Sequence, residues 1–308
     1  MSRVAVLIRT HFVDREVLSF AEGLRLGGLF DVYALADETA GPLDFGDLPK
    51  VSITREGIAE LGLFAGVQKL LWRCGDYGLY VARKALPQYD GFWLIEPDVR
   101  LRSERPCDIL SRFPGPEEVD FLAGRLRPAE IDWDWTKTMD PVAGPIWRCL
   151  FALVRVSARA LDLLLDARRA LTEERLALRA DPIAWPNDEA FVASTLARIG
   201  APIRDLNAFG QVYDEAGFSF WFPLSDRELE ASGRDGWIYH PVLNGQRYFL
   251  KLCRLAIRHD ALDELERVVD RMTGLEWDAS EARAHHRAID FLRTQQAIAN
   301  APPALAAE

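Results

Sequence analysis

Long apolar runs, lysine, paired cysteines and a glycine-rich phosphate turn are all scarce or missing in this 308-residue chain. No segment approaches the roughly 20 uninterrupted apolar residues that a membrane span needs. Lysine occurs only at Lys50, Lys69, Lys84, Lys137 and Lys251, and the formal net charge is -10. With a pI near 5.2, the chain lacks the clustered positive charge that neutralises nucleic-acid phosphates, so no nucleic-acid partner is expected. Cys74, Cys107, Cys149 and Cys253 are dispersed, without CxxC or Cys/His spacing for zinc. They read as reduced thiols of a cytosolic protein. A Rossmann-type enzyme would want GxGxxG after its first strand, whereas Arg9-Thr10-His11-Phe12 follows here. The opening apolar run at 4–8 is too short for a signal peptide and reads as a first strand. Neither an internal repeat nor a low-complexity block is visible.

What is present is an α/β alternation. A buried-type strand at 4–8 precedes a helical pattern at 15–26 that stops at Gly27-Gly28, a strand at 30–36 and another at 50–54. Strand, helix, strand at this spacing opens a parallel sheet, and ligands gather where its strands end in loops. Arg9, Thr10 and Asp37 stand at such ends, although solvated loops would look the same. Two helical stretches between 63 and 86 flank Trp72-Arg73-Cys74-Gly75-Asp76-Tyr77. Arg73 and Asp76 are candidates to orient a pyrophosphate, with Trp72 read as core. Pro106, Pro114, Pro116, Pro128, Pro141 and Pro145 then punctuate short pieces, including a strand at 119–123. Ile131-Asp132-Trp133-Asp134-Trp135 alternates acids and aromatics, which suits sugar recognition and equally an amphipathic edge strand. A strand at 147–156 leads through Ser157, a good N-cap, to helices at 158–169 and 171–178. Another helix opens at Asn187 or Asp188, and helices at 247–259, 260–272 and 279–299 close the chain. His285 and His286 are adjacent and read as surface.

Two acids ending the apolar run of 89–100, Glu96 and Asp98, carry the chemistry. Alternate side chains of an extended backbone share a face, so both carboxylates can point into one cleft. Hard oxygen donors beside a proline-stiffened turn suit Mn²⁺ or Mg²⁺ and leave positions open for a substrate's phosphates. An ordinary turn with two solvated acids has the same spacing. His240 would complete a mixed oxygen and nitrogen site if the chain returns it to this pair. Asp188 and Glu189 at a helix start could accept a proton from an attacking hydroxyl, though capping alone also explains them.

Three segments, YDGFWLIEPDV at 89–99, WPNDEAF at 185–191 and YHPV at 239–242, together resemble the nucleotide-sugar-dependent glycosyltransferases of the GT-A fold. The first is similar to the YYWRVEPDV type of strand in fungal α-mannosyltransferases. The resemblance implies a GT-A-like α/β fold, with a mostly parallel central sheet flanked by helices and a C-terminal helical portion. It places a catalytic domain at 1–245, with a nucleotide-binding half near 1–100 and an acceptor half near 101–245. Helices at 246–300 and a frayed tail at 301–308 would follow. Glu96 and Asp98 fill the place of the family's Asp-x-Asp motif, Asp98 as direct ligand, and His240 matches its distal metal-binding histidine. Glutamate in place of the first aspartate leaves metal dependence open. Implied partners are a nucleotide-sugar donor and a glycan, lipid-linked or other hydroxyl acceptor, with Asp188 or Glu189 as base if the enzyme inverts. The implied location is the cytoplasm or, through peripheral association, the membrane surface. An inactive binding or scaffolding protein of the same fold, or another metal-dependent enzyme of nucleotide phosphates, is the alternative.

Overall fold

The computed structural model describes residues 2–139, 144–178, 185–221, 223–258, 262–272 and 279–299. The chain divides into two compact units, one of Met1–Glu215 with Asp235–Ile238, the other of Ala216–Arg234 with Tyr239–Glu308. The first unit opens with β1 (Val4–Thr10), α1 (Arg15–Arg25), β2 (Asp31–Asp37), β3 (Lys50–Ile53), α2 (Arg55–Glu60), the single turn α3 (Leu70–Arg73) and α4 (Asp76–Ala85). It continues with β4 (Gly91–Ile95), β5 (Arg100–Arg102), α5 (Pro106–Ser111), β6 (Phe121–Pro128), a 3₁₀ turn at Asp134–Thr138, β7 (Trp147–Ser157), α6 (Ala158–Ala177), α7 (Asp188–Arg198) and β8 (Ile203–Asp205). α8 (Asp226–Ser232), β9 (Trp237–Tyr239), α9 (Gly245–Arg258), α10 (Leu262–Met272) and α11 (Ala279–Ala299) complete the order.

Seven of these strands form one sheet in the order β3-β2-β1-β4-β7-β6-β8. β7 runs antiparallel to β4 and β6, and the other pairings are parallel. This is the mostly parallel α/β sheet, flanked by helices and followed by C-terminal helices, that the sequence led us to expect. β4 is buried along its whole length, as a central strand covered on both faces must be. Ala5, Leu7, Leu35, Phe92, Leu94 and Val154 share one core with Tyr77, Leu161, Leu164, Trp185 and Phe191. Trp93, on the other face, meets Phe113 with ring centroids 5.5 Å apart.

Local chemistry starts the helices. Asp14 accepts a hydrogen bond from Val17 N (2.8 Å), Thr54 from Gly57 N (3.0 Å), Ser157 from Ala160 N (3.1 Å) and Asn187 from Ala190 N (3.1 Å). Each oxygen satisfies an amide that the first turn leaves without a helical partner. In the second unit, Ser225 and Glu228 make a reciprocal capping box at α8. That unit's core gathers Tyr248, Phe249, Leu252, Leu265, Val269, Ala288 and Leu292 from α9, α10 and α11.

The structure corrects several local expectations. The two helices expected at 158–169 and 171–178 are the single helix α6, because no glycine or proline interrupts that stretch. Residues 131–135 form no edge strand: Ile131 is 95% exposed and a 3₁₀ turn starts at Asp134. Among the described residues, the alternation there has no neighbouring ladder to pair with. Trp72 is 61% exposed and not core, and His285 is buried within the second unit, where its ring meets Phe249 at 5.6 Å. The expected helix at 260–272 is described from Leu262, and the tail at 301–308 lies outside the described residues.

A buried ion pair joins α4 to α6. Arg168 donates through Nε to Asp76 Oδ2 (2.7 Å) and through NH2 to Oδ1 (3.0 Å), and Tyr80 donates its hydroxyl to the same carboxylate (2.8 Å). Neither charged side chain is exposed. Leaving one partner of such a pair alone strands an uncompensated charge in the interior. Asp76→Ala should therefore lower unfolding stability by about 3–5 kcal/mol, measured by urea denaturation, and a loss below about 1 kcal/mol would show that Arg168 is solvated without it.

Candidate active site at the carboxyl ends of the parallel strands

Parallel pairing sets Ile8 beside Ile95 and Thr10 beside Ala36, so β1, β2 and β4 end on one edge of the sheet. The chain emerging from those ends carries Arg9, Thr10, Asp37, Glu96 and Asp98 to that edge. Glu96 is positioned by its own backbone. Its N–H donates to Ala152 O of β7 (2.8 Å) while its carbonyl accepts from Val99 N (3.0 Å), closing a turn through Pro97. Both acids are partly buried, and each presents an oxygen within 4.8 Å of the other's. Two carboxylates this close repel unless a cation lies between or beside them.

One such cation belongs to the protein. Arg9, only 11% exposed at its side chain, donates to Glu96 Oε1 and approaches Asp188 Oδ2 at 3.5 Å. Its NH1 also donates to Leu71 O of α3 (3.4 Å). Burial by itself would lower the affinity of this guanidinium for its proton, but the Glu96 and Asp188 carboxylates more than offset that and hold it up. Gly75 completes the arrangement by donating its amide to Asp188 Oδ2 (2.9 Å). A methyl group at Gly75 would overlap the Arg9 guanidinium and crowd Asp188, so any side chain there would push both groups out of this arrangement.

Asn187 takes the capping role at α7, which leaves both following acids for other work. Asp188 is buried, receiving Gly75 N and Glu189 N (2.8 Å) on its two oxygens. Burial pushes its carboxyl well above the usual range against the pull of Arg9. Glu189, less enclosed, has its carboxyl pushed up to about 7 by burial, opposed by the Asn187 amide (3.5 Å). A carboxylate titrating near neutrality is matched to accepting a proton.

The remaining expected residues fall into different places. Thr10 is buried, accepting Phe12 N (3.2 Å) and donating to Phe12 O (2.7 Å). Asp37 accepts Thr39 N (3.0 Å) and the Thr39 hydroxyl (2.6 Å), which shapes the loop after β2. Arg73 donates to Trp185 O (3.4 Å) and lies 5.2 Å from the centre of the Trp135 ring, which itself meets exposed Trp72 at 5.8 Å. Asp76 is enclosed by Arg168 and Tyr80, so it acts inside the fold. In the second unit, His240 is buried and its Nδ1 lies 2.6 Å from Ser219 O. That carbonyl fixes the proton on Nδ1 and the lone pair on Nε2, the tautomer in which metal-ligating histidines are commonly held. Glu96 and Asp98 thus form a candidate ligand pair within the first unit, each offering one carboxylate oxygen.

Sequence reasoning missed Gly75, Leu71 and Arg168 as parts of this region. Gly75 alone carried a signal, as a glycine inside an otherwise bulky cluster, but its reason is contact with residues far away in sequence.

No protein-family model matches the chain, and no curated protein does. Among solved structures, it is similar to a glycosyltransferase involved in the glycosylation of the major capsid of PBCV-1, at 10% identity and a TM-score of 0.36. That match spans 94% of this chain and 99% of the other. A likeness this loose assigns no activity, and the functional reading rests on the chemistry of the site.

Two outcomes follow from this geometry. Gly75→Ala should destabilise the protein by about 1–3 kcal/mol through overpacking against Arg9, while Gly23→Ala in α1, where a methyl meets nothing within 4 Å, should stabilise it by roughly 0.5–1 kcal/mol. Equal effects in thermal or urea melts would sink the close-approach argument. Separately, a carboxyl raised in the folded state contributes stability that is full below the unfolded value near 4.5 and is lost as pH rises through about 7. Glu189→Gln should flatten that part of the stability profile, and an unaltered slope between those pH values would place the titration elsewhere.

Proposed function

We propose that the chain is a glycosyltransferase that moves a sugar from a nucleotide-diphosphate donor to a hydroxyl acceptor, with Mn²⁺ or Mg²⁺ held by Glu96, Asp98 and His240. The observation that carries this reading is the pair of carboxylates, within 4.8 Å of one another, at the carboxyl end of the central strand β4. Two anionic oxygens suit a hard divalent cation, and a neutral imidazole is a chemically compatible third donor. When bound, such a cation supplies Lewis-acid charge for a diphosphate leaving group. Asp98 serves as a direct ligand. Glu96, shared with Arg9, orients the ligand set.

Arg9, Thr10 and Asp37 are assigned to the donor, because β1 and β2 carry them to the strand ends where a nucleotide lies in open α/β sheets. Arg73 of α3 is assigned to it as a guanidinium able to pair with a diphosphate. Arg9 adds a fixed positive charge beside the departing diphosphate. Asp76 is left out, since Arg168 and Tyr80 occupy its carboxylate. If the reaction inverts configuration, Glu189 takes the acceptor's proton: its carboxyl titrates near neutrality. Asp188 then acts as a positioning residue that holds Arg9 and Gly75. The exposed Trp72 beside Trp135 offers aromatic faces for the C–H surface of an acceptor sugar.

A screen of nucleotide sugars for slow hydrolysis in Mn²⁺ tests the reading. Turnover is expected with a UDP- or GDP-sugar, reduced at least about a hundredfold by Asp98→Ala, a loss of roughly 3 kcal/mol of transition-state stabilisation. Unchanged turnover in that variant would remove Asp98 from the mechanism. No thermal stabilisation by any nucleoside diphosphate with Mn²⁺ would favour a binding or scaffolding role instead.

A further inference from the structure

β6 loses its regular register with β7 between Ala123 and Arg127, and within that bulge Arg125 sits at φ 57°. A residue with a side chain in this left-handed region costs of order 1–3 kcal/mol and persists only where its surroundings hold it. Here they do. Arg125 N donates to the Tyr213 hydroxyl (2.7 Å), which donates to Asp205 Oδ2 (2.8 Å), and Leu126 N donates to the same oxygen (2.8 Å). Asp205 Oδ1 accepts Asn207 N (2.8 Å), and Asn207 Oδ1 accepts Val212 N (2.9 Å), so both chain segments are locked together. Bulges re-aim side chains. This one brings Arg125 and Arg127 to the wall of a cavity of about 320 Å³, whose lining also includes Gln211, Asp214, Glu215 and the Asp205 already engaged by Leu126 N and Tyr213.

The two arginines converge on one carboxylate, and Arg127 also pairs through NH2 with Glu130 (3.1 Å). Glu215 lies 3.5 Å from Arg125 NH2 and 2.8 Å from Arg127 NH1. The contrast in exposure decides which group is fixed: the Arg125 side chain is 11% exposed and that of Glu215 is 68% exposed. Both arginine Nε atoms are buried without a hydrogen-bond partner among the described residues, which leaves donors to be satisfied. A buried, fixed guanidinium beside a half-exposed one (Arg127, 39% exposed), bridged by a solvent-facing acid, has the form of an oxyanion site filled by the protein's own side chain.

We propose that this cavity binds a sugar bearing a carboxylate or phosphate, whose oxyanion takes the place of Glu215 between Arg125 and Arg127 while ring hydroxyls meet the polar wall at Gln211. The volume is that of a small-ligand pocket. The proposal involves neither the metal ligands nor the nucleotide, and stands or falls apart from glycosyl transfer.

Isothermal titration of the full chain in EDTA, without nucleotide, tests it with glucuronate, glucose 6-phosphate, glucose and inorganic phosphate. At least one anionic sugar should bind about tenfold or more tightly than glucose and than inorganic phosphate, as charge-assisted hydrogen bonds to two arginines imply; which one binds separates a carboxylate ligand from a phosphate ligand. Arg127→Gln and Arg125→Gln should each reduce that affinity about tenfold, with circular dichroism checking the fold of the second variant. Glu215→Gln should strengthen binding, because the competing acid is gone. Equal binding of glucose or of inorganic phosphate, no binding of either anionic sugar at millimolar concentration, unaltered affinity in Arg127→Gln, or unaltered or weakened binding in Glu215→Gln would overturn the proposal.

Discussion

Arg9 is the charge around which the candidate site of the first unit is arranged. It leaves the end of β1 and meets Glu96 after β4, Asp188 at the start of α7 and the carbonyl of Leu71 in α3. Two carboxylates converging in a poorly solvated place would repel or take up protons. The guanidinium makes their convergence tolerable, and its planar fork can serve both at once. Its presence also dictates its neighbours. A side chain at Gly75 would displace Arg9, and Asn187 caps α7 so that Asp188 can turn to Arg9 and to Gly75 N.

Beneath this layer lies a second ionic assembly whose role is structural. Arg168 binds both oxygens of Asp76, donates to Pro186 O (2.9 Å) and stacks over the Phe191 ring at 3.7 Å. Trp185 donates its indole N–H to the Tyr77 hydroxyl (3.1 Å). α4, α6 and the segment entering α7 are therefore joined by directional contacts. Such contacts specify one arrangement of helices more sharply than apolar packing alone would. Asp188 and Glu189 owe their placement to this framework, since both follow directly from Pro186 and Asn187.

Much of the architecture was legible because its causes are local. Apolar runs at 4–8 and 91–95 read as buried strands, and the Ser157 cap, with Asn187 or Asp188 for α7, followed from side-chain chemistry that acts within one helical turn. The Glu96 and Asp98 pair was legible for a similar reason, as alternation along an extended backbone ending in a turn. Errors arose where a residue's state depends on distant partners. Trp72 looked like core, yet α3 presents it to solvent beside Trp135. Asp76 resembled a ligand-facing acid, but Arg168, distant in sequence, encloses it. His285 read as surface beside His286, although packing among α9, α10 and α11 buries only the first of them.

The order of strands and helices, the caps, and two acids ending a buried strand were determined by the sequence itself, since periodicity and short-range hydrogen bonding are properties of neighbouring residues. Which charged groups would meet was decided by tertiary structure. Asp76, Asp188 and Glu189 differ little as residue types, but one is sealed against Arg168, one is held by Arg9 and Gly75, and one retains a carboxyl titrating near neutrality. Burial and partner charge separate them, and both quantities exist only once segments about a hundred residues apart have come together.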